Sequence, residues 1–192
     1  KWLADPAEEP EPFGDGGTKM AWNTFNVVSI YPNGNPVMSD VNQRWVGDCC
    51  ACAVIASMAY LYPRFVKHII KDNMDKTYTV TMYDPKGKQI SVGVGGDYFI
   101  GNSGDLGALG GRNKEVTWAT ILEKAMIKWN QIYQGSSNVG GIGTEYVSAI
   151  FTGDGESVGF GANALIAEDL QRAVEVSLKQ GRLVIGGFTR SG

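Results

Sequence analysis

The chain has 192 residues, of which 43% are hydrophobic and 19% are charged, and its formal net charge is −3. This length and apolar content suffice for one ordinary domain with a buried core, and the mild acidity argues against an electrostatic nucleic-acid binder. The longest nearly uninterrupted apolar stretch, residues 49–62, is shorter than the ~20 residues that a membrane-spanning helix needs. The sequence therefore predicts a globular protein with no membrane span and no nucleic-acid partner.

The first third of the chain is predicted to hold an extended segment and two helices. Residues 1–25 are acidic, contain prolines and lack periodicity, which predicts an extended arm or the remnant of a pro-segment, and irregular loop continues to residue 45. Asp48 is suited to cap a helix over residues 49–62, which is small and apolar on every side and is therefore predicted to be buried all round. A short second helix is predicted over residues 63–71.

The rest of the chain combines one β-hairpin with loops and helices. Residues 77–94 alternate β-branched and aromatic positions around an Asp-Pro-Lys-Gly turn, which predicts the hairpin. The remaining predicted elements are, in order, a glycine-rich loop over 93–111, an amphipathic helix over 115–129, a second loop over 135–143, a short helix over 146–151, a surface helix over 164–180 and the start of a buried strand at 183–185. This combination predicts an α+β fold.

The three cysteines, Cys49, Cys50 and Cys52, lie within four positions of one another. A disulfide scaffold spreads its cysteines over long loops, and an odd number leaves one unpaired. A structural zinc site needs four ligands, and His68 is the one histidine of the chain. Two interpretations remain: buried helix cysteines, or a reactive thiol among them. If one thiol is reactive, position favours Cys49, because a helix N-terminus stabilises a thiolate and Cys49 lies in the predicted first turn.

A series of motifs along the chain resembles one family of enzymes. Residues 43–49 have the sequence Gln-Arg-Trp-Val-Gly-Asp-Cys and lead into an alanine-rich helix. Further on stand Tyr-Thr-Val from residue 78, Trp-Ala-Thr-Ile-Leu-Glu-Lys-Ala from residue 118, Gly-Gly at 140–141 and Phe-Thr-Gly from residue 151. In this order the motifs resemble the Cys-bearing half of the catalytic core of the calpain family of cysteine peptidases, and the similarity covers most of the chain.

The resemblance implies a papain-like cysteine peptidase core, of which residues 26–192 form mainly the helical, nucleophile-bearing subdomain with a small β-hairpin. It implies that Cys49 attacks a peptide carbonyl, and that the Gln43 side chain joins the Cys49 backbone N–H in binding the oxyanion. Gly140 and Gly141 would admit an extended substrate backbone, since glycine allows close approach, and the alternative is a plain flexible loop. The implied substrate is a protein or a peptide.

The chain departs from the family pattern in two ways. The family has Trp after the nucleophile, where this chain has Cys50. A papain-type mechanism also needs a His base oriented by an Asn, and His68 lies at the wrong end of a predicted helix ~21 Å long. The resemblance implies that the His and the Asn lie in a second subdomain beyond residue 192, so this chain alone is expected to be inactive. The alternative is a non-catalytic calpain-like scaffold that binds partners.

Calcium is the cofactor that the resemblance implies, and this ion is bound through oxygen ligands. Asp40, nine positions before Cys49, matches an acidic ligand position of the family, and Glu115 lies one residue out of register with a second. Asn33 and Asn35 would supply backbone carbonyls. The alternatives are that Asp40 caps a turn and that Glu115 opens a helix, where negative charge is favourable in any case.

The chain opens at Lys1 without an initiator Met. Removal of a leader would explain that start, so a secreted, periplasmic or cell-surface protein is expected, with the cytoplasm as the alternative.

Overall fold

The computed structural model describes residues 21–101, 103–154, 158–159, 161 and 164–186. These residues form helices and short antiparallel strands, so the predicted α+β class is confirmed. Residues 1–20 of the predicted arm lie outside the described part. The strands are β1 (Ala21–Thr24), β2 (Ile70–Asp72), β3 (Tyr78–Tyr83), β4 (Gln89–Val94) and β5 (Asp97–Ile100). The helices are α1 (Cys49–Leu61), α2 (Pro63–Ile69), α3 (Trp118–Gln134), α4 (Thr144–Thr152) and α5 (Ala167–Lys179), and a 3₁₀ turn spans Met38–Asp40.

The predicted hairpin is confirmed, and it belongs to a three-stranded antiparallel sheet with the order β2-β3-β4. Val80 of β3 pairs with Val92 of β4 on one side and with Ile70 of β2 on the other, and all three side chains are buried. Every second residue of β3 is buried, because successive side chains point to opposite faces and one face packs on the core. The sequence analysis placed residues 70–71 at the end of the second helix, which is wrong: pairing with β3 draws them into the sheet.

A second, two-stranded sheet pairs β1 with β5. Trp22 lies opposite Phe99, and the centres of the two rings are 4.1 Å apart. Neither strand was predicted, since β1 lies in the last residues of the predicted arm and β5 lies in the predicted glycine-rich loop. Strands of four residues are too short to show a clear alternation, and their pairing joins Thr24 to Asp97, which are 73 positions apart. The prediction of an irregular arm and loop is therefore wrong for residues 21–24.

Helix α1 begins at Cys49, and α2 follows it after one residue, as predicted. The prediction that α1 is buried all round is wrong: Val54, Ile55 and Met58 are buried, whereas Tyr60 is 71% exposed. This difference arises because α3 and α4 cover one side of α1. Among the described residues, no single helix is long and apolar enough to cross a membrane, and α1 and α2 meet that test only together, as a pair bent by 113°.

Helix α3 lies at the centre of the protein. The sequence predicts an amphipathic helix here, but every residue from Trp118 to Asn130 is buried. Its charged side chains find partners from distant segments: Glu123 accepts a hydrogen bond from the Leu109 N–H (2.9 Å), and the Lys124 ammonium donates to two main-chain carbonyls at the β4–β5 connection. The same ammonium lies 4.4 Å from the centre of the Trp22 ring. Glu123 and Lys124 are therefore buried and hydrogen-bonded rather than solvated.

The last described part of the chain is packed less closely. The predicted helices are found as α4 and α5, and α4 ends at Gly153, which has a φ of 76°. No residue of α5 is buried, and Ile166 and Leu178 of its predicted apolar stripe are 65% and 51% exposed. The buried strand predicted at residues 183–185 is wrong: these residues are half-buried and form no strand, since no described strand pairs with them.

Candidate active site

The cysteines lie at the start of α1. Cys49 is the first residue of the helix and is exposed, whereas Cys50 and Cys52 are half-buried, and all three are free. Burial, and then the negative charge of Asp48, raises the pKa of Cys52. Burial, and then the charges of Cys49 and Glu145, raises the pKa of Cys50. Both of these thiols are held in the neutral form, so Cys49 is the thiol that exposure and position favour for reaction.

Asp48 precedes Cys49 and caps α1 from a buried position, with 1% of its surface exposed. Its carbonyl accepts the Cys52 N–H at 3.0 Å, and its Oδ1 accepts the Cys52 thiol at 3.4 Å. Burial raises the pKa of Asp48 to about 6, against hydrogen bonds from Cys52 and Glu123 that favour the charged form. Asp48 therefore holds the predicted N-cap position, but its side chain makes no capping hydrogen bond and accepts the Cys52 thiol instead.

Gln43, the predicted oxyanion donor, lies on the loop that leads to Cys49 and is exposed. Its Nε2 donates a hydrogen bond to the Val46 carbonyl at 2.9 Å, so the amide is turned back along its own loop. A side-chain amide carries two N–H donors, and Val46 uses one of them. The second remains for another acceptor, and the role of Gln43 at an oxyanion stays a prediction.

The predicted substrate glycines lie beside the nucleophile loop. The Gly141 N–H is 3.4 Å from the Gly47 carbonyl, two residues before Cys49, and a Cβ added to Gly140 would lie 3.7 Å from that same oxygen. Gly141 has a φ of 73°, a conformation that other residues adopt only with strain. The fold thus brings together the two loops that the sequence analysis assigned to one site.

A cavity of about 350 Å³ opens next to these glycines, and Trp129, Gln134 and Tyr146 line it together with them. The indole N–H of Trp129 donates to the Tyr83 carbonyl at 2.7 Å, which holds the ring in place. The sequence analysis missed Trp129 and Tyr146 as lining residues because it assigned both to helices alone. The signal that could have found them is their position on the two helices that enter and leave the glycine loop.

Asp40, a predicted calcium ligand, is 2% exposed and is already hydrogen-bonded. Its Oδ1 accepts Nδ2 of Asn33 at 2.9 Å, and its Oδ2 accepts the Val37 N–H at 3.2 Å and the Trp118 Nε1 at 2.6 Å. These bonds close the 3₁₀ turn and fasten it to the start of α3. The structure therefore gives Asp40 the turn-capping role that was the alternative, and Asn33 meets Asp40 through its side-chain N–H, whereas the calcium prediction used the Asn33 backbone carbonyl.

The other two predicted ligands are Glu115 and Asn35. Glu115 precedes α3 by three residues, so it does not open that helix, and its Oε2 is buried without a hydrogen-bond partner among the described residues. Asn35 lines a surface groove between the 3₁₀ turn and the start of α2. Within the described ranges, no three His, Cys, Asp or Glu side chains form a group that could hold a metal. A calcium ion would therefore depend mainly on carbonyl oxygens.

His68 is exposed in the last turn of α2. The 13 residues of α1 span about 20 Å and the seven of α2 about 10 Å, so even a complete reversal would leave His68 about 10 Å from Cys49. A general base must lie within about 3 Å of the proton that it takes. His68 is therefore not the base for Cys49.

A search of curated protein sequences finds no match to the chain. The sequence model of the family described as calpain family cysteine protease matches residues 22–189. The matched span contains Gln43, Cys49, the glycine loop and nearly all the described structure. Because the match covers most of the chain, the protein belongs to the calpain family of cysteine proteases.

Proposed function

We propose that this chain supplies the nucleophile-bearing half of a calcium-dependent cysteine endopeptidase whose histidine base lies outside these 192 residues. The observation that carries the proposal is the exposed thiol of Cys49 at the first position of α1, beside the Gly140–Gly141 loop. The two neighbouring thiols have raised pKa values. The chain itself holds one histidine, His68, and it is too far away to take a proton from Cys49.

In the proposed reaction, Cys49 Sγ attacks the carbonyl carbon of a peptide bond and the thiol proton passes to the external imidazole. The backbone N–H of Cys49 belongs to the first turn of α1, where such groups have no partner within the helix, and it donates to the oxyanion. The second N–H of Gln43 is the other donor, and removing one such donor typically costs about 2.7–4 kcal/mol of transition-state stabilisation. The imidazolium then protonates the leaving amine, and water hydrolyses the thioester.

The substrate is proposed to lie extended along Gly140 and Gly141, where the absence of side chains leaves room for its backbone. One substrate side chain would enter the neighbouring cavity, whose rings from Trp129 and Tyr146 suit an apolar or aromatic group. The fixed ring of Trp129 limits how deep that group can reach.

Calcium is proposed to bind near the loop that precedes α3. The buried and unpartnered Oε2 of Glu115 fits a cation ligand, because an acceptor in that position lacks any other partner among the described residues. Asp40 accepts three hydrogen bonds, and a carboxylate offers about four lone-pair sites, so one site remains. The backbone carbonyls of Asn33 and Asn35 would complete the set, and bound calcium would supply a fixed positive charge that ties these segments together.

Acylation of the thiol tests the catalytic part of the proposal without the missing base. Purified chain is treated with p-nitrophenyl acetate, and the release of p-nitrophenolate is followed with and without added imidazole. We expect a burst of one equivalent that imidazole accelerates, that C49A abolishes and that C50A retains. Hydrolysis of casein by the chain alone should be undetectable, with or without millimolar calcium.

The opposite results identify the alternatives. Casein turnover by the chain alone would refute an external base. A non-catalytic scaffold, the candidate favoured by Cys50 in the place of the family's Trp, would show equal and slow labelling of all three cysteines. For calcium, thermal unfolding provides the readout: calcium should raise the melting temperature of the wild-type chain but not that of E115Q.

A further inference from the structure

Two buried carboxyl groups meet directly behind the nucleophile. Asp48 immediately precedes Cys49, Glu123 projects from the second turn of α3, and each residue is 1% exposed. One oxygen of each is accounted for: Asp48 Oδ1 accepts the Cys52 thiol at 3.4 Å, and Glu123 Oε2 accepts the Leu109 N–H at 2.9 Å. The pair thus connects the first turn of α1 to the central helix α3.

The second oxygen of Asp48 reveals how the two groups interact. No hydrogen-bond donor of the described residues reaches the buried Oδ2 of Asp48, and the carboxyl of Glu123 lies close enough to shift the pKa of Asp48. Two ionised carboxylates are acceptors only, so a hydrogen bond between them requires a proton on one of them. If Glu123 carries that proton and donates a hydrogen bond to Asp48, the buried Oδ2 of Asp48 has a partner.

We propose that Asp48 and Glu123 share one proton, and that this hydrogen-bonded pair is the positioning device that holds the first turn of α1, and therefore Cys49, in place for attack. The inference rests on the proposed nucleophilic role of Cys49. Asp48 keeps its negative charge at the helix N-terminus, where the helix dipole stabilises it. Glu123 remains neutral and couples that charge to α3.

The charges around the pair agree with this assignment. Burial, and then the charge of Asp48, raises the pKa of Glu123 well above its usual value. The other titratable groups that interact with the pair are the thiols of Cys50 and Cys52 on α1, and Glu145 on α4 and the Cys49 thiol in turn act on Cys50. All of these groups are acidic, so none of them favours a second negative charge on the pair. Loss of the shared proton at alkaline pH would leave two carboxylates repelling each other beneath Cys49.

Conservative and non-conservative substitutions of Glu123 test the role of the shared proton. E123Q keeps a donor toward Asp48 and an acceptor for the Leu109 N–H, whereas E123A leaves Asp48 Oδ2 without any donor. We expect iodoacetamide to alkylate Cys49 in E123Q at a rate within about twofold of wild type near neutral pH. E123A should be slower by about tenfold, the factor that one hydrogen bond to a charged group represents. At alkaline pH, E123Q should keep a steady profile where the wild-type profile bends downward.

Infrared spectroscopy gives a readout that does not depend on reactivity. At neutral pH the wild-type chain should show the carbonyl band of a buried protonated carboxylic acid, and E123Q should lack it. E168Q, on the exposed face of α5, is the matched control and should keep both the band and the alkylation profile. An E123Q variant as slow as E123A, or a wild-type chain without the band, would overturn the inference. If the band is present but Cys49 is not the fastest thiol, the proposed function fails and the shared proton stands.

Discussion

Replacement of Asp40 by alanine should destabilise the fold severely, although the residue lies outside the proposed catalytic groups. The change removes acceptors from Nδ2 of Asn33, the Val37 N–H and the Trp118 indole N–H. Asn33 is exposed and can bond water instead, but Trp118 is fully buried and its donor would be orphaned. An orphaned buried donor costs about 1–3 kcal/mol, and each lost bond to a charged group about 1.5–3 kcal/mol, so the expected loss is about 3–5 kcal/mol.

Urea unfolding followed by far-ultraviolet circular dichroism measures this loss as a lower midpoint at an unchanged slope. The free energy of unfolding of native proteins is typically roughly 5–15 kcal/mol, so the expected loss is a large fraction of it. D40N therefore serves as the milder variant. The Asn side chain keeps the shape of Asp but turns one N–H toward a donor. We expect this change to lower the free energy of unfolding by about 2 kcal/mol. The exposed carboxylate of Glu175 is the control, and E175A should change stability by less than about 0.5 kcal/mol. Midpoints of D40A and D40N that both equal that of E175A would refute the reasoning.

Three further predictions concern pH and packing. Because burial raises the pKa of Asp48 to about 6, the folded chain holds a proton that the unfolded chain releases near pH 4. The free energy of unfolding should therefore fall by roughly 3 kcal/mol as the pH rises between these values. Urea titrations of D48N should show a shallower fall over this range, since burial of Glu123 still contributes to it. In G153A, a residue with a φ of 76° would gain a Cβ 2.8 Å from the Tyr83 ring, so thermal unfolding should show a loss of stability of about 2 kcal/mol or more. G161A is the control, because a Cβ at Gly161 meets no neighbouring atom, and its stability should be unchanged. K124M removes an ammonium that donates to two main-chain carbonyls, so its urea midpoint should indicate a loss of stability of about 2–4 kcal/mol. A midpoint equal to that of wild type would contradict the role of the ammonium in holding the β4–β5 connection.

Local elements of this fold were predictable because their signals are local. The start of α1 at Cys49 and the hairpin turn follow from spacing and from turn or cap residues within a few positions, whereas α3 continues to Gln134, beyond its predicted end at Trp129. The pairing of β1 with β5 was not predictable, since its partners lie far apart in the chain and each strand is only four residues long. The burial of Glu123 and Lys124 was not predicted for a related reason. Their hydrogen-bond partners come from distant loops, and the helix pattern alone favours exposure to solvent for charged residues.

In the candidate site, too, the features with a local signal were predictable and those that depend on packing were not. The motif from Gln43 to Cys49 predicted Cys49 as the nucleophile, and the glycine pair at 140–141 lies beside the loop that leads to it, with Gly141 against the Gly47 carbonyl. The sequence alone did not indicate that Asp48 and Glu123 lie close together, because this depends on how α1 packs on α3. Nor did it show that Asp40 accepts the Trp118 indole N–H, since that donor is 78 positions away along the chain and meets Asp40 only in the folded protein.

The contrast between α3 and α5 has a consequence for hydrogen exchange. Every residue of α3 from Trp118 to Asn130 is buried, so its amides can reach deuterium only when the whole core opens, and they should report the global free energy of unfolding. Helix α5 buries none of its residues, and isolated helices of its length are marginal in water. Its amides should therefore exchange through local fraying, orders of magnitude faster than those of α3. The chain would then behave as two cooperative units of unequal stability, with α1 and its Cys49 packed against the more stable one.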